Sequence, residues 1–318
     1  MIAVVMVSFH TGPVLWRSIE AALAQPEVSE LALVDNGNPP DTIARLRELA
    51  AAHPKLTLLS GHGNVGFAAG CNLGVSATTA DTLLFLNPDA VLPPGGASAL
   101  AQEGAASDED LWAAGPKLIG PDGAEQRGSR RAILTPWNAF VEAARLNRLM
   151  PNHPSVKRFN EHEMAAGSAT MSVPCLSGAC FCVPRRAFEA IGGFDHAFFL
   201  HVEDIDFFLR LARAGGRMLF VPSVEVVHFK SSSRVDPLRI ERLKRQSLNL
   251  YFASHFKGYY PPGFLSVLRA MLWTAFFARA LRHNVGRFGR GLRLTARRGP
   301  RALLRARRLQ RPRSVERL

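Results

Sequence analysis

The chain has 318 residues, 47% hydrophobic and 20% charged, with a formal net charge of +13. That length can bury a sizeable core, as one large domain or as one domain with an appendage. The four cysteines, Cys71, Cys175, Cys180 and Cys182, have the spacing of neither an extracellular disulfide framework nor a zinc site, so reduced thiols in a cytosolic setting are expected.

The first segment, Met1 to Val7, is apolar but lacks a basic leader and a cleavage site, which excludes a signal peptide and predicts a buried strand over 2–8. A helix is expected over 13–24, with Leu15, Ile19, Ala22 and Leu23 on one side. A strand over 31–34, a helix over 41–52, a strand over 56–59, a small-residue helix over 67–76 and a strand over 82–86 follow. Strands alternating with helices imply parallel order and right-handed crossovers. A helix from 93 to about 106 and a strand over 112–118 complete this regular part.

Residues 120–172 read as irregular and polar, a substrate-facing or mobile loop region with Arg127, Arg130 and Arg131 close together. Order returns with a strand over 177–183, a helix over 184–191 stopped by Gly192-Gly193, a helix over 205–214 and two short strands over 218–221 and 224–227. After Lys257 the acids almost vanish, and the arginines from Arg269 to Arg317 face only Glu316. Such a tail attracts polyanions, either nucleic acid or an anionic membrane surface. The apolar run Phe264 to Leu281 favours the membrane, and Arg269 and Arg279 leave its core short of the ~20 residues that span a bilayer. It is expected to lie in the interface, with a helix packed on the catalytic domain as the alternative.

Several residues carry chemistry. Asp89, in Leu86-Asn-Pro-Asp89, is a carboxylate just beyond a buried strand, where open α/β sheets bind ligands. Asp35 follows the second strand and could accept from a base imide or a ribose hydroxyl, or could simply form an Asx turn with Asn36-Gly37. Gly61-His-Gly-Asn-Val-Gly66 satisfies the dinucleotide fingerprint literally, but two strand–helix units precede it where the fingerprint belongs on the first. Asn64 and Asn72 could be turn and cap residues, and Gly66, Gly70 and Gly74 could merely allow close packing. Glu203-Asp204 could be ordinary acids of a helix N-terminus, and Asp206 and Arg210 have the spacing of an ion pair. His228 ends a Val-rich strand.

The ordered set Val7-Ser-Phe-His10, Val34-Asp-Asn-Gly37, Asn64-Val-Gly-Phe67 with Asn72-Leu-Gly74, Leu86-Asn-Pro-Asp89, Ser177-Gly-Ala179, Gly192-Gly-Phe-Asp195, Glu203-Asp-Ile-Asp206 and Val227-His228 resembles the inverting family 2 glycosyltransferases of the GT-A fold, nearest to their bacterial rhamnosyltransferase-like branch. The resemblance covers about residues 1–256. It implies that Asp35 contacts the nucleotide base, that the Asn64–Gly74 loop borders the nucleotide, and that Asp89 is the metal-binding acid of an Asp-x-Asp motif whose first position is here Asn87. The nucleotide-contacting set it implies is Ser8, His10, Asp35, Asn64, Gly66, Phe67, Asn72, Asn87 and Arg234. It makes Asp204 the general base, with Glu203 beside it, and His228 a second ligand of a divalent metal, Mg²⁺ or Mn²⁺. Lys230 could serve in place of Arg234 beside the departing diphosphate.

The expectation is thus an α/β fold over 1–256, a GT-A-like, Rossmann-related mixed sheet flanked by helices. Its nucleotide-sugar half spans about 1–118 and its acceptor half about 173–256, and a basic amphipathic tail occupies 257–318. The expected activity is inverting transfer of a sugar, L-rhamnose by resemblance, from a dTDP- or UDP-linked donor to a glycan or polyprenyl-linked glycan. The expected place is the cytoplasmic face of the inner membrane, on an anionic surface, with no nucleic acid as partner. An NAD-dependent oxidoreductase using Gly61–Gly66 and a non-catalytic basic protein binding nucleic acid are the alternatives.

Overall fold

A computed structural model describes residues 1–107, 109–150, 153, 155, 156, 159, 167–230 and 235–297, with the backbone alone over 282–297. Residues Met1–Arg269 form one compact unit and Ala270–Leu318 a second. The first unit therefore runs past the expected boundary at 256.

Its centre is β1 (Ile2–Ser8), buried at every position as a β-branched run must be when helices cover both faces of a sheet. α1 (Val14–Leu23), β2 (Val28–Asp35), α2 (Pro40–Ala52), β3 (Leu56–Leu59), α3 (Phe67–Ser76) and β4 (Thr82–Leu86) follow, and β1, β2, β3 and β4 pair in parallel in the order β3-β2-β1-β4. Alternate residues of β1 divide between two cores. Ile2, Val4 and Met6 pack with Leu15 and Ile19 of α1 and Leu46 of α2. Val5 and Val7 instead face α3, where a Cβ at Gly74 would lie 2.5 Å from Val5 and one at Gly70 would lie 3.0 Å from Val7. These two glycines thus set the distance between helix and sheet.

β5 (Ala90–Val91), α4 (Gly96–Ala105), β6 (Trp112–Ile119), β7 (Arg130–Arg131), α5 (Pro136–Ala143), α6 (Leu146–Leu149), β8 (Met171–Ser172), β9 (Cys175–Leu176) and β10 (Cys180–Pro184) form the middle of the chain. α7 (Arg185–Ala190), α8 (Glu203–Arg213), β11 (Arg217–His228), α9 (Pro237–Phe256) and α10 (Phe264–Arg297) complete it. The sheet continues from β4 through β10, β6 and β11 to β5, and β10 runs antiparallel to both its neighbours. The sheet is therefore mixed, as expected, although the strand–helix alternation alone implied purely parallel order.

Three differences from expectation matter for the site. The run over 177–183 is interrupted: β9 and β10 flank a loop at 177–179. The two strands expected near the end are one, β11, whose register against β6 shifts between Val221 and Glu225. The polar stretch 120–172 contains β7, α5, α6 and β8, with α5 entered through a Thr135–Asn138 capping box.

The second core fixes α8. Phe85, Phe181, Phe188, Phe194, Phe207 and Phe208 form one ring cluster, with Phe85–Phe181 and Phe194–Phe207 centroids each 4.9 Å apart. Truncating such a buried ring costs about 3–5 kcal/mol, so the start of α8 is held firmly. In α10, Phe264–Leu281 is long and apolar enough to cross a membrane by length and composition alone, with mean hydropathy 1.4 and 11% of it buried.

Candidate active site

The loops after β1 and β2 interlock. Asp35 Oδ1 accepts from the Gly37 N–H at 3.2 Å, the Asn38 N–H at 2.8 Å and the Asn38 side-chain amide at 2.8 Å. The Asx turn is therefore present, and all three bonds converge on one carboxylate oxygen. Ser8 is fully buried and its hydroxyl meets Thr11 at 3.2 Å and the Asn38 amide at 3.1 Å. It shapes the loop from within. His10, in left-handed backbone (φ 51°), donates its main-chain N–H to Asn38 Oδ1 at 2.8 Å.

The third loop is built against a distant carbonyl. Asn64 Oδ1 accepts from the Gly66 N–H at 3.0 Å, and the Phe67 N–H donates to the Phe199 carbonyl at 2.8 Å. A Cβ at Gly66 would lie 2.5 Å from that same oxygen. A dinucleotide site needs the helix-terminal N–H groups aimed at pyrophosphate, whereas here one is taken by Phe199 and the glycine serves that contact. The fingerprint over Gly61–Gly66 is thus a packing device. The Asn72 side chain donates to the Phe194 carbonyl at 2.8 Å and accepts from the Phe194 N–H at 3.0 Å, locking α3 to the Gly192–Asp195 segment. Asn36, not singled out as a site residue, ties the loops together by donating to the Gly66 carbonyl at 2.8 Å.

Asp89 and His228 meet because β5 pairs with β11, placing His228 opposite Ala90. His228 Nε2 lies 3.2 Å from Asp89 Oδ1, and both side chains are nearly buried. Gln126 sets the imidazole tautomer. Its amide N–H donates to the His228 carbonyl, which can only accept, so its Oε1, 3.0 Å from Nδ1, must receive a proton from that nitrogen. Nε2 thus faces a carboxylate oxygen, a contact that either a proton or a bound cation between the two atoms makes attractive. Two ligands at right angles on a cation with ~2.1 Å bonds stand about 3.0 Å apart, so the pair fits a divalent ion. Among the described residues no group of three or more His, Cys, Asp or Glu could hold a metal. Asp89 and His228 could supply two ligands, a sparse set of the kind found where an ion also binds substrate phosphates.

Asp204 sits in the first turn of α8, after His201 and Val202 in left-handed backbone (φ 66° and 73°). Its Oδ2 accepts from Arg131 Nη1 at 3.0 Å and from the Gly178 N–H at 2.9 Å. A Cβ at Gly178 would lie 2.7 Å from Asp204 Cβ, so only glycine allows this approach. Burial alone would raise the Asp204 carboxyl, but the Arg131 guanidinium and the N–H groups of Gly178 and Ile205 override it and hold the pKa below its ordinary value. Glu203 is the opposite: burial, then the Asp204 charge, push it up to about 8. Burial and the neighbouring charge thus favour its protonated form, the reverse of Asp204. Asp206 and Arg210 form the expected ion pair, at 2.7 Å, and His255 of α9 joins Asp206 at 2.6 Å.

Two short connections join these parts. The Asn87 N–H donates to the Ala179 carbonyl at 2.8 Å while the preceding Gly178 holds Asp204, so the loop 177–179 spans from the end of β4 to the Asp204 carboxylate. The segment 126–131 supplies both Gln126 to His228 and Arg131 to Asp204. Neither residue was assigned a role from the sequence. The clustering of Arg127, Arg130 and Arg131 was the available signal, and nothing distinguished Arg131 from Arg130, which pairs with Glu125 at 3.2 Å. A cleft of about 520 Å³ opens beside His228, with Gln126, Arg127 and Lys230 in its wall. Lys230 and Lys244 are both depressed, by burial first and then by neighbouring guanidinium groups including Arg127 and Arg131, so the surroundings are cationic. Arg234 lies outside the described residues.

A carboxylate held by Arg131 and a carboxylate–imidazole pair thus stand at the loop edge of one mixed α/β sheet. The chain belongs to glycosyl transferase family 2, whose sequence pattern matches residues 3–192, and a second pattern described as glycosyltransferase like family 2 matches residues 131–260. It is 30% identical over 312 residues to the N-acetylglucosaminyl-diphospho-decaprenol L-rhamnosyltransferase of Mycobacterium tuberculosis, covering 90% of this chain and 92% of that protein. It is 27% identical to the O-antigen biosynthesis protein RfbC of Myxococcus xanthus over 72% of this chain and 17% of that protein. Among solved structures, the mannosyltransferase PcManGT of Pyrobaculum calidifontis with GDP-Man and Mn²⁺ shares the fold at a TM-score of 0.53 and 18% identity, over 92% of this chain and 80% of that one. GalNAc-T7 with UDP, GalNAc and Mn²⁺ does so at 0.54 and 17%, over 85% of this chain and about half (53%) of that one.

Proposed function

We propose that this glycosyltransferase moves L-rhamnose from dTDP-L-rhamnose, or a closely related UDP-linked sugar, to a polyprenyl-linked glycan, with inversion. The observation that carries the reading is the ionised Asp204, joined through Gly178-Ala179 to the Asn87–Asp89 turn. Likeness over nearly the full length of a lipid-linked rhamnosyltransferase supports the sugar and the acceptor. Asp204 takes the proton of the acceptor hydroxyl as the hydroxyl attacks the anomeric carbon. Arg131 and Gly178 fix its carboxylate and keep it ionised. Asp89 and the Nε2 of His228 would hold a divalent ion, which supplies charge neutralisation to the leaving diphosphate. Asp35 faces the base with the oxygen outside its Asx turn, and Lys230 and Arg127 add positive charge beside the departing group.

The test is transfer and hydrolysis over a panel of dTDP-, UDP- and GDP-sugars with Mg²⁺, Mn²⁺ or chelator. Turnover of dTDP-rhamnose that requires metal supports the reading. Equal turnover of every donor, or none with any, removes it. Arg269 and Arg279 within the apolar Phe264–Leu281 segment, and the run of arginines after it, support a peripheral position on an anionic cytoplasmic membrane face. Alkaline carbonate should release the full chain from membranes, and retention would mean a spanning helix.

A further inference from the structure

Outside the reaction site, the first compact unit carries an exposed aromatic face. α5 and the elbow between α9 and α10 are joined by ring contacts: Trp137 stacks on Phe140 at 5.7 Å, Phe140 meets Phe264 at 5.7 Å and Tyr260 stacks on Phe264 at 5.0 Å. In the segments that carry this ladder large apolar side chains stand in solvent: Leu149 of α6 is 75% exposed, Tyr259 77% and Val267 55%, with Ile133, Trp137 and Met150 between 38% and 45%. A soluble surface rarely gathers so many within three short segments.

The charges beside them have one sign. Arg145, Arg148, Lys257 and Arg269 are exposed in the same segments, and the single acid there, Glu142, faces Arg127 at 3.7 Å. Trp and Tyr rings with flanking cations are the composition that settles where hydrocarbon meets anionic headgroups. The face is also tied to the chemistry: Arg131, which holds Asp204, lies two residues before exposed Ile133 on the chain segment that enters α5.

We infer that this face docks on an anionic lipid surface, independently of the helix beyond Arg269, and so presents the site to an acceptor anchored in that surface. The inference rests on the lipid-linked acceptor proposed above. A second copy of the chain is the competing occupant, and it would lack the charge complementarity that four exposed cations find in phosphatidylglycerol.

The test uses the full chain with Trp273→Phe, which removes the tryptophan of α10. Vesicles of phosphatidylcholine and phosphatidylglycerol with brominated acyl chains should quench its emission, and adding Trp137→Phe should abolish that quenching. In the same background, Ile133→Ser with Tyr259→Ser should lower vesicle partitioning about tenfold while leaving dTDP binding unchanged. No quenching, quenching that survives Trp137→Phe, or protection of Trp137 that depends only on protein concentration would overturn the inference. dTDP binding measured on the same samples separates the two readings, since its absence with quenching intact would count against the proposed dTDP-linked donor alone.

Discussion

The two carboxylates of the site have opposite surroundings. Asp89 Oδ1 lies 3.2 Å from His228 Nε2. Asp204 is paired with the Arg131 guanidinium at 3.0 Å. Under the proposed function the first would help hold a divalent ion against the leaving diphosphate, and the second would take the acceptor proton. A leaving-group site must respond to its ligand, whereas a base must be in its working state beforehand.

The sharpest way to break this contrast is Asp89→Ala. It leaves His228 alone at the cation site, and it should lower turnover on the order of 10³-fold and abolish the dependence of nucleotide binding on divalent ions. Near wild-type turnover would show that the pair holds no functional ion. Asp204→Asn keeps the shape but cannot accept a proton, so turnover should fall at least ~10²-fold while donor affinity, measured by calorimetry, is retained. Parallel loss of both would make Asp204 structural.

Gln126→Leu tests the tautomer argument. Without the amide, Nδ1 loses its fixed acceptor, and Mn²⁺ affinity in the presence of dTDP should drop about 10–100-fold. Unchanged affinity would mean that the imidazole is oriented by something else. The smallest effect belongs to Glu203→Gln, which should be nearly silent in activity at neutral pH because the wild-type carboxyl is already protonated. It should alter stability instead. A carboxyl raised to about 8 in the folded protein from an ordinary 4.5 costs stability progressively as pH rises through that interval. The wild-type melting temperature should therefore fall from pH 5 toward pH 8.5 more steeply than that of the variant. Identical slopes would contradict the protonated state assigned to Glu203.

Much of the donor half was legible because its physics is local. Buried runs such as Ile2–Ser8 and the alternation through Thr82–Leu86 announce a layered sheet, and Asp89, Asp204 and His228 stand at strand or helix ends where ligands gather. What escaped depended on distant partners. Ser8 and Asn72 have the right residue types for ligand contacts, but Asn38 and Phe194 claim their polar atoms. Arg131 and Gln126 lie in a stretch with no periodicity, and each gains its role only from a residue far along the chain. α9 went unassigned because its helical period is diluted by charge, with only Ser247, Leu248, Tyr251 and Phe252 fully covered.

The register shift in β11 bears on how this enzyme could be damaged. Val221 pairs with Pro116 and Glu225 with the very next residue, Lys117, so residues 222–224 have no counterparts on β6. Side chains alternate sides along a strand, and an odd number of unmatched residues reverses the phase of everything beyond. The side on which His228 stands is therefore set by the pairing beyond the bulge, Glu225–Val227 with β6 and His228 with Ala90. A one-residue slip of that ladder would leave every site residue in the sequence and yet turn the imidazole to the other side of the sheet.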